Sequence, residues 1–375
     1  MYLRFLRPDN YTDRFRGAGH VPLLSGRYFF TQKSKKTRFF SEKKPEEIKK
    51  GGLKMKYAMV GAGAAGSCFA SYLRRGGLDI TLVDRYKEHM DKVAAEGMDF
   101  TVNPDKHYHV DGFKTATSAE GIGIMDAVIF MTKATQVESA LETAKPCIGP
   151  ETVLVSLMNG IGNEDYLLPH AAPDRVIFGS GVMGTFLAAP GVCAASPGKE
   201  AIQMNFGPVN HGEKIDAVGA ELEKCFTGGG CPAKYWDDVR PKIWWKAADN
   251  CIFNALTAML RLKSKYLYDL EDGWPLIQMM AGEICDVAKA KGVDMDVQKY
   301  LDYQWDRRST PIKNYYPSMA QDMLIHERQT EITTMNGAIA RMGKEMGVPT
   351  PLNTIISHMI SLTQKNYEHL YPKEK

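Results

Sequence analysis

The sequence predicts an α/β domain built on a parallel sheet, followed by an all-α C-terminal domain. A glycine-rich segment at residues 61–66 lies between a short apolar strand and a helical run. Further apolar strand candidates then recur at the spacing of a parallel sheet. After Pro241 these strand signals stop and helical periodicity takes over. We therefore predict an α/β domain at residues 55–236 and a helical domain at residues 237–372.

The bulk composition excludes several classes of protein. Hydrophobic residues make up 44% and charged residues 24% of the 375 positions, as in ordinary globular proteins. A formal charge of +3 gives no reason to expect a nucleic-acid partner. No apolar run approaches the roughly 18 residues of a membrane helix, so no membrane partner is expected. The seven cysteines form no CxxC pair, which predicts neither zinc nor disulfides and favours a cytoplasmic location.

Residues 1–54 differ from everything after them and are predicted to lie outside the fold. They are rich in Arg, Lys, Tyr and Phe and show no periodicity. A transit peptide would be poor in acidic residues, which does not fit Glu42, Glu46 and Glu47. A disordered extension is the second interpretation. We prefer a third, a translated leader before a bacterial start at Met55, since Gly51 and Gly52 can be encoded by a purine-rich ribosome-binding sequence.

The glycine-rich segment has the features of a dinucleotide-binding loop in a Rossmann-type domain. It follows the strand at residues 57–60 and opens the helix at residues 67–75. An acidic residue, Asp84, follows the second strand, 23 positions after the first glycine. In such loops the glycines permit a tight turn, close approach of a pyrophosphate, and close packing of helix on strand. The candidate cofactor-binding residues here are Gly61, Ala62, Gly63, Ala64, Ala65 and Gly66.

The residues after the second strand leave the choice of cofactor open. A carboxylate at the position of Asp84 hydrogen-bonds the ribose hydroxyls of NAD and repels the 2′-phosphate of NADP. The neighbouring Arg85 can instead bind that phosphate or stack on adenine. Both residues are therefore candidate cofactor ligands, and NADH and NADPH both stay open.

Two further strand candidates end in polar residues that point to the same site. The strand at residues 127–131 is followed by Lys133, and the strand at residues 152–157 by Asn159. Ligands of doubly wound sheets bind beyond the carboxyl ends of the strands. We expect Lys133 and Asn159 to contact cofactor or substrate, with ordinary turn chemistry as the alternative.

The remaining segments complete the predicted architecture. Short strands at residues 182–188, 192–195 and 201–206 are predicted to extend the same sheet in antiparallel fashion, and residues 236–241 to form a hinge. His107 and His109 could share a metal, but two histidines in a polar loop are more often solvated, so no metal site is predicted. The predicted helices of the second domain span residues 242–260, 275–291, 297–306, 318–326, 331–346 and 351–369.

The first of these helices carries the candidate chemistry. Lys246, Asn250 and Asn254 recur every four residues in an apolar run, which places them on one helix face. One cation and two neutral amides suit a small polar anion that receives a proton, whereas the alternative is a solvated face. The position just after the hinge, at the mouth of a cleft between two domains, favours the first interpretation. Ser318 and Glu331 lie at predicted helix starts, where the local sequence favours capping as the role of Ser318 and the helix dipole already favours a carboxylate at Glu331.

With these residues in hand, the chain resembles the ketopantoate reductase (2-dehydropantoate 2-reductase) family from residue 55 to about residue 367. The resemblance is carried by the glycine loop, Thr132-Lys133-Ala134, Met158-Asn159-Gly160, the Lys246, Asn250 and Asn254 spacing, Ser318 with Asp322, and Thr330-Glu331 followed by Asn336-Gly337. It implies that Lys246 is the general acid that protonates the alkoxide formed by hydride transfer to C2. It also implies that Asn250, Asn254, Ser318 and Asn159 bind substrate, and that Glu331 holds the substrate hydroxyl and orients the lysine. Lys133 and Asn159 would position the cofactor, and Arg85 would bind a 2′-phosphate.

The resemblance implies NAD(P)H-dependent reduction of 2-dehydropantoate to pantoate, a step toward pantothenate and coenzyme A. Family members often have a small or apolar residue where Asp84 stands, so the family implies NADPH while Asp84 leaves NADH open. A relative acting on another 2-oxo acid or 2-hydroxy acid is one alternative, and a non-catalytic dinucleotide sensor is another. The expected partner is a small-molecule 2-oxo acid, and the oligomeric state stays open, with a homodimer as one candidate.

Overall fold

The computed structural model describes residues 54–103, 105–133, 136–198, 200–310 and 316–370. The strands and helices from Met55 onward belong to one compact unit. The leader predicted for residues 1–54 lies almost entirely outside the described residues, as do residues 371–372 at the predicted end of the second domain.

A large sheet forms the centre of the first half of the chain. Six neighbouring strands, in the order β8-β7-β6-β1-β2-β5, run parallel. At one edge β11 pairs antiparallel with β8, and β12 follows it. The strands of this sheet are β1 (Tyr57–Val60), β2 (Ile80–Val83), β5 (Lys114–Ala116), β6 (Ala127–Phe130), β7 (Val153–Ser156), β8 (Val176–Gly181), β11 (Met204–Pro208) and β12 (Ala233–Tyr235).

The strand order creates a binding crevice at β1. The chain proceeds from β1 outward to β2 and β5, and then returns to build β6 on the other side of β1. Connections that diverge in this way leave a gap at the carboxyl ends of the two strands, where ligands of such sheets bind. The predicted Rossmann-type sheet is thus confirmed. The strands β1, β2, β6 and β7 are buried along their whole length, which explains their continuous apolar sequences.

A second sheet of four strands was not predicted. Its order is β4-β3-β10-β9, with β3 and β10 parallel and the outer pairs antiparallel. The prediction that residues 182–188 and 192–195 extend the main sheet is therefore wrong, and only the third predicted segment joins it, as β11. The strands are β3 (Met98–Val102), β4 (Lys106–Val110), β9 (Met183–Ala189) and β10 (Val192–Pro197).

The two histidines at residues 107 and 109 lie on a strand of this second sheet, not in a loop. His107 Nδ1 is 3.0 Å from Thr101 Oγ1, and His109 Nδ1 is 2.8 Å from Asp99 Oδ1 on the neighbouring strand. Both rings are exposed. Their alternation with Tyr108 and Val110 is the period-two pattern of a half-exposed strand.

Helices cover the sheet and build the whole second half after the predicted hinge. The first half contains α1 (Ala64–Arg75), α2 (Lys87–Glu96), α3 (Val137–Ala144), α4 (Glu164–Leu167) and α5 (Glu213–Gly228). The second half contains α6 (Arg240–Asp249), α7 (Ala255–Leu260), α8 (Lys265–Asp269), α9 (Gly273–Ala290), α10 (Val297–Arg307), α11 (Ser318–Leu324), α12 (Asn336–Met346) and α13 (Pro351–Gln364). Short 3₁₀ turns lie at Lys145–Cys147, Pro173–Arg175, Ile332–Thr334 and Tyr367–His369.

The helix predicted at residues 242–260 contains a π-helical turn. Residues Asn250–Asn254 form this turn, which directly connects the end of α6 to the start of α7. A π turn inserts one residue into a helix and widens it locally, and such turns are frequent at functional sites. The insertion falls on the two asparagines that the sequence singled out.

The predicted boundary at residues 236–237 falls between β12 and α6, and every described strand lies before it. Within the described residues, no helix combines the length and the apolar character needed to cross a bilayer.

Candidate active site

The glycine-rich loop is shaped by two close contacts that only glycine allows. Gly61 has φ of +99°, and a Cβ at this position would lie 2.8 Å from the backbone carbonyl of Met131. A Cβ at Gly66 would lie 2.0 Å from the carbonyl oxygen of Gly61. The first contact holds the loop against the end of β6, and the second brings α1 against the turn.

Gly63 differs from these two glycines because it faces open space. A Cβ added there would meet no heavy atom within 4 Å. Gly63 is also the N-cap of α1, and no side chain caps that end of the helix. The first N–H groups of a helix have no acceptor inside the helix, so they are available to an anion. The loop therefore offers a phosphate group both room and donors, as a dinucleotide requires.

Asp84 lies at the loop and binds its backbone. One carboxylate oxygen accepts a hydrogen bond from the Ala62 N–H at 2.7 Å, and the other accepts from the Tyr86 N–H at 2.9 Å. The side chain is half-buried, whereas Arg85 beside it is exposed. The structure thus places Asp84 at the crevice and leaves Arg85 on the surface at its rim.

Lys246 reaches from α6 to the carboxyl end of the main sheet. Its ammonium donates to Asn159 Oδ1 at 2.5 Å and to the carbonyl oxygen of Gly181, at the end of β8. Desolvation lowers the pKa of Lys246 to about 8, and the negative charges of Glu331 and Asp249 oppose that shift. An ammonium with a pKa near 8 is charged at neutral pH and gives up its proton far more readily than an exposed lysine.

The loop after β7 is built to present Asn159. Asn163 donates from its side-chain amide to the carbonyl oxygens of Met158 and Asn159, at 3.2 and 3.0 Å. Gly160 follows with φ of +106°, and its Cβ would lie 2.8 Å from the carbonyl oxygen of Thr334. The turn is therefore fixed from both sides, and the Asn159 side chain is held facing the lysine.

Asn250 and Asn254, on the turn that follows α6, form a second polar group with Ser318 at the start of α11. Asn254 Nδ2 lies 3.3 Å from Asn250 Oδ1 and 3.5 Å from Ser318 Oγ. Asn254 is buried, Asn250 is half-buried and Ser318 is exposed. The prediction that Ser318 caps its helix is wrong, because Pro317 holds the cap position and no side chain caps α11. Since Ser318 starts the first turn instead, its hydroxyl is directed to the asparagines.

Glu331 and Asp322 meet Lys133 across the cleft. Lys133 Nζ lies 3.3 Å from Asp322 Oδ2 and 3.9 Å from Glu331 Oε2. Both carboxylates are buried, with side-chain exposures of 5% and 9%, while Lys133 is 42% exposed. Arg328 also pairs with Asp322, at 2.6 Å. Glu331 was predicted in the first turn of a helix at residues 331–346, but it precedes a separate 3₁₀ turn at Ile332–Thr334 and α12 begins only at Asn336. Its carboxylate is directed toward Lys133.

A network behind the lysine fixes the helix that carries it. Asp249, on α6, accepts hydrogen bonds from Tyr300 at 2.9 Å, from Gln304 and from Arg307, all on α10. Tyr300 and Gln304 are fully buried. A half-buried carboxylate with three donors holds α6 and α10 in one register, and its charge also acts on Lys246.

The structure brings most of the predicted residues together in three groups. Lys246 and Asn159 form one contact, the two asparagines and Ser318 form another, and Lys133 with Glu331 lies between the halves of the molecule. Sequence reasoning missed the supporting residues Arg328, Asn163, Asp249, Tyr300 and Gln304. Asp249 was the one with a signal, since an acid inside an apolar helical run rarely lies there without partners.

Among the described residues, no group of three or more His, Cys, Asp or Glu side chains is placed to hold a metal ion.

Comparisons with known proteins agree with this geometry over both halves of the chain. Residues 57–210 match the profile of ketopantoate reductase PanE/ApbA, and residues 238–364 match the profile of its C-terminal domain. The chain belongs to the ketopantoate reductase family. It is therefore an oxidoreductase that uses a nicotinamide dinucleotide. Its similarity to proteins named 2-dehydropantoate 2-reductase extends over nearly the whole length of those relatives. The enzyme of Lactococcus lactis is 28% identical over 82% of this chain and 97% of the relative. That of Aquifex aeolicus is 29% identical over 82% of this chain and 96% of the relative.

Solved structures of other proteins show the same fold. D-mandelate dehydrogenase, in a ternary structure with NADH and anilino(oxo)acetate, has a TM-score of 0.73 and 26% identity, over 83% of this chain and 98% of that one. A PanE/ApbA family ketopantoate reductase from Ralstonia eutropha has a TM-score of 0.71 and 27% identity, over 84% and 100%. The two-domain architecture predicted from the sequence is thus that of the family.

Proposed function

We propose that this chain reduces 2-dehydropantoate to pantoate, with Lys246 as the general acid. The observation that carries the proposal is the desolvated Lys246 ammonium, held by Asn159 at the carboxyl end of β7 and facing the same crevice as the glycine loop. Relatives that bear the name 2-dehydropantoate 2-reductase support the substrate. The first 54 residues carry none of the residues in this proposal.

The residues of the chain divide the work between binding and proton transfer. The glycine loop and the start of α1 would hold the dinucleotide, which supplies hydride when bound. Lys246 stabilises the oxygen that becomes an alkoxide at C2 and then donates its proton to it. Its hydrogen bond to Asn159 aims the ammonium before the reaction.

The other polar residues would hold the substrate around the reacting carbonyl. Asn250 and Asn254 offer amide donors and acceptors to the hydroxyl and carbonyl side, and the exposed Ser318 hydroxyl offers a donor to the carboxylate. Glu331, which is buried and near Lys133, would accept a hydrogen bond from the substrate hydroxyl, and its negative charge would help to keep Lys246 protonated. Lys133 would bridge cofactor and substrate at the end of β6.

The test is a spectrophotometric assay of the purified chain with 2-dehydropantoate and a panel of other 2-oxo acids, each with NADH and with NADPH. We expect the highest kcat/KM with 2-dehydropantoate. A higher value with another acid would move the proposal to that substrate. Inactivity with every acid, together with intact dinucleotide binding, would support a sensor and overturn the proposal.

One observation favours a different 2-oxo acid as the second candidate. The structure of D-mandelate dehydrogenase resembles this chain about as well as the ketopantoate reductase structure does. The anilino(oxo)acetate bound to that enzyme carries an aromatic ring next to its 2-oxo acid group. Benzoylformate, an aromatic 2-oxo acid, therefore belongs in the panel. The polar residues described above would bind the 2-oxo acid group that all these substrates share, and the assay shows which substrate side chain the enzyme accepts.

The pH dependence of the reduction follows from the lowered pKa of Lys246. A general acid must be protonated to act, so the lysine is active below its pKa and inactive above it. We expect kcat to stay constant from about pH 6 to 7 and to fall tenfold per pH unit well above the pKa of about 8. A pH–rate profile of the wild-type enzyme at saturating substrate checks this. A profile that stays flat to pH 10 would contradict the assignment of Lys246.

We propose that Asp84 favours NADH over NADPH, because its carboxylate lies where a 2′-phosphate would be repelled. Asp84→Asn keeps an oxygen for the Ala62 N–H but removes the charge. We expect the ratio of kcat/KM with NADPH to that with NADH to rise about tenfold, or about 1.4 kcal/mol. The matched control is Asp91→Asn, at an exposed carboxylate on α2 that pairs with Lys87. A ratio that moves equally in both variants would remove Asp84 from the cofactor site.

A further inference from the structure

The imidazole of His89 is completely buried between the glycine loop and the second sheet. His89 lies on α2, five residues after Asp84, and no part of it reaches solvent. One ring nitrogen, Nε2, lies 3.0 Å from Ser67 Oγ in α1. The other, Nδ1, accepts a hydrogen bond from the Gly191 N–H at 2.9 Å. Gly191 lies between β9 and β10, so the ring joins two parts of the molecule that the chain connects only distantly.

The hydrogen bonds allow one protonation state of this ring. Gly191 N–H is a donor, so Nδ1 must be unprotonated, and the neutral ring then carries its proton on Nε2. Ser67 uses its own hydroxyl hydrogen to donate to the Ala62 carbonyl at 2.8 Å. Its oxygen is therefore free to accept from Nε2–H of His89. Burial lowers the pKa of His89, which agrees with the neutral form.

The end of this chain of hydrogen bonds is the peptide at the middle of the glycine loop. Gly191, His89 and Ser67 lead to the carbonyl of Ala62, while the N–H of Ala62 donates to Asp84. Both polar groups of Ala62 are thus satisfied inside the protein. Gly63, the next residue, faces open space and begins α1. Fixing Ala62 therefore fixes the direction in which the following N–H groups face the crevice.

We infer that His89 is a positioning residue for the dinucleotide-binding loop, acting through Ser67. It holds the loop in the form that receives the phosphates before the cofactor arrives, which removes the ordering cost from binding. It does not touch the reacting atoms. The inference rests on the proposed dinucleotide site, and it predicts that a change at His89 alters the Kd for cofactor and leaves turnover of the saturated enzyme unaltered.

Two substitutions test separately the two hydrogen bonds of the ring, the Gly191 arm at Nδ1 and the Ser67 arm at Nε2. The amide of His89→Asn lies as far from Cβ as Nδ1, so it can still accept from Gly191 but cannot reach Ser67. The amide of His89→Gln lies as far from Cβ as Nε2, so it can still donate to Ser67. If the Ser67 arm positions the loop, Asn weakens binding of NADH and NADPH about five- to tenfold, the effect of one lost hydrogen bond, and Gln restores it to within about twofold.

Ser67→Ala tests the same arm from the other side and covers the case in which an exchange of the buried ring prevents folding. We expect it to raise Kd as much as His89→Asn does, and the double variant to bind no more weakly than either single variant, because the two residues act in series. The matched control is His107→Asn, at an exposed histidine whose Nδ1 also lies beside a hydroxyl. It should leave Kd unchanged.

The measurements are fluorescence titrations with NADH and NADPH, kcat at saturating cofactor, and thermal unfolding of each variant. Equal weakening by Asn and Gln, or a lower Tm with unchanged Kd, would show that His89 only fills the core and would overturn the inference. Failure of the wild-type chain to bind either dinucleotide would instead overturn the proposed function, and this inference with it. The wild-type titration therefore distinguishes the two failures.

Discussion

Lys246→Ala is expected to lower kcat for 2-dehydropantoate about 10³-fold, within the range seen when a general acid or an oxyanion donor is removed. The reason is that the ammonium serves both functions: it stabilises the oxygen at C2 and protonates it. Because Lys246 hydrogen-bonds Asn159 and Gly181 and is not part of the glycine loop, dinucleotide binding should survive. Steady-state kinetics and a cofactor titration on the same sample measure both quantities.

Two further variants separate the charge of Lys246 from its proton. Lys246→Arg keeps a cation but holds its proton at every accessible pH, so part of the activity should return without the fall above pH 8. Lys242→Ala is the matched control, since Lys242 is an exposed cation one turn earlier on α6, near the ring of Trp236. Wild-type kcat in Lys246→Ala, or an equal loss in Lys242→Ala, would rule out the proposed role.

The dinucleotide loop could be predicted from sequence because its constraints are local. Gly61 needs a positive φ, and Gly66 needs to be free of a Cβ because the Gly61 carbonyl oxygen lies against it; only the contact of Gly61 with Met131 involves a distant part of the chain. Both glycines lie in the same short loop, so their spacing in the sequence identifies the loop directly. The same holds for β1, β2, β6 and β7, whose short, continuous apolar runs mark strands buried on both faces.

The second sheet could not be predicted in the same way, because its pairing is not local. β3 pairs with β10, more than 90 residues later, and residues 182–188 look equally suited to the edge of the main sheet. Nothing in an alternating pattern states which partner a strand will find. His89 shows the consequence. In sequence it is one histidine on an amphipathic helix, and its proposed role depends on contacts with Ser67 and with Gly191, which lies between two strands of the second sheet.

The helix at residues 242–260 was predicted correctly as a helical run, but only partly in its geometry. Four-residue spacing placed Lys246, Asn250 and Asn254 on one face of an α-helix, but a π turn occupies Asn250–Asn254. The lysine therefore contacts Asn159 across the cleft, while the asparagines contact each other and Ser318. A π turn has no sequence signature of its own, since its stability comes from what packs against it. Ser318 was assigned a cap for a related reason: the position of a helix start is uncertain by about one residue.

Gly63→Val is expected to abolish dinucleotide binding while leaving the fold intact. A side chain at this position meets no protein atom within 4 Å, and its backbone, with φ of −68°, suits any residue. It would, however, occupy the space into which the first N–H groups of α1 face. Loss of two charge-assisted hydrogen bonds to phosphate corresponds to at least a hundredfold weaker Kd. Titration with NADH and NADPH, beside thermal unfolding, measures both expectations.

Substitutions at two other glycines serve as controls for Gly63→Val. Gly282→Val places the same side chain on α9, where a Cβ also meets nothing within 4 Å, and should change neither Kd nor Tm. Gly66→Ala places a Cβ 2.0 Å from the Gly61 carbonyl oxygen, so it should lower Tm as well as affinity. The two loop variants thus separate space reserved for a ligand from space needed by the protein. If Gly63→Val bound dinucleotide as tightly as wild type, the open space before α1 would not be the phosphate site, and the proposed placement of the dinucleotide would be wrong.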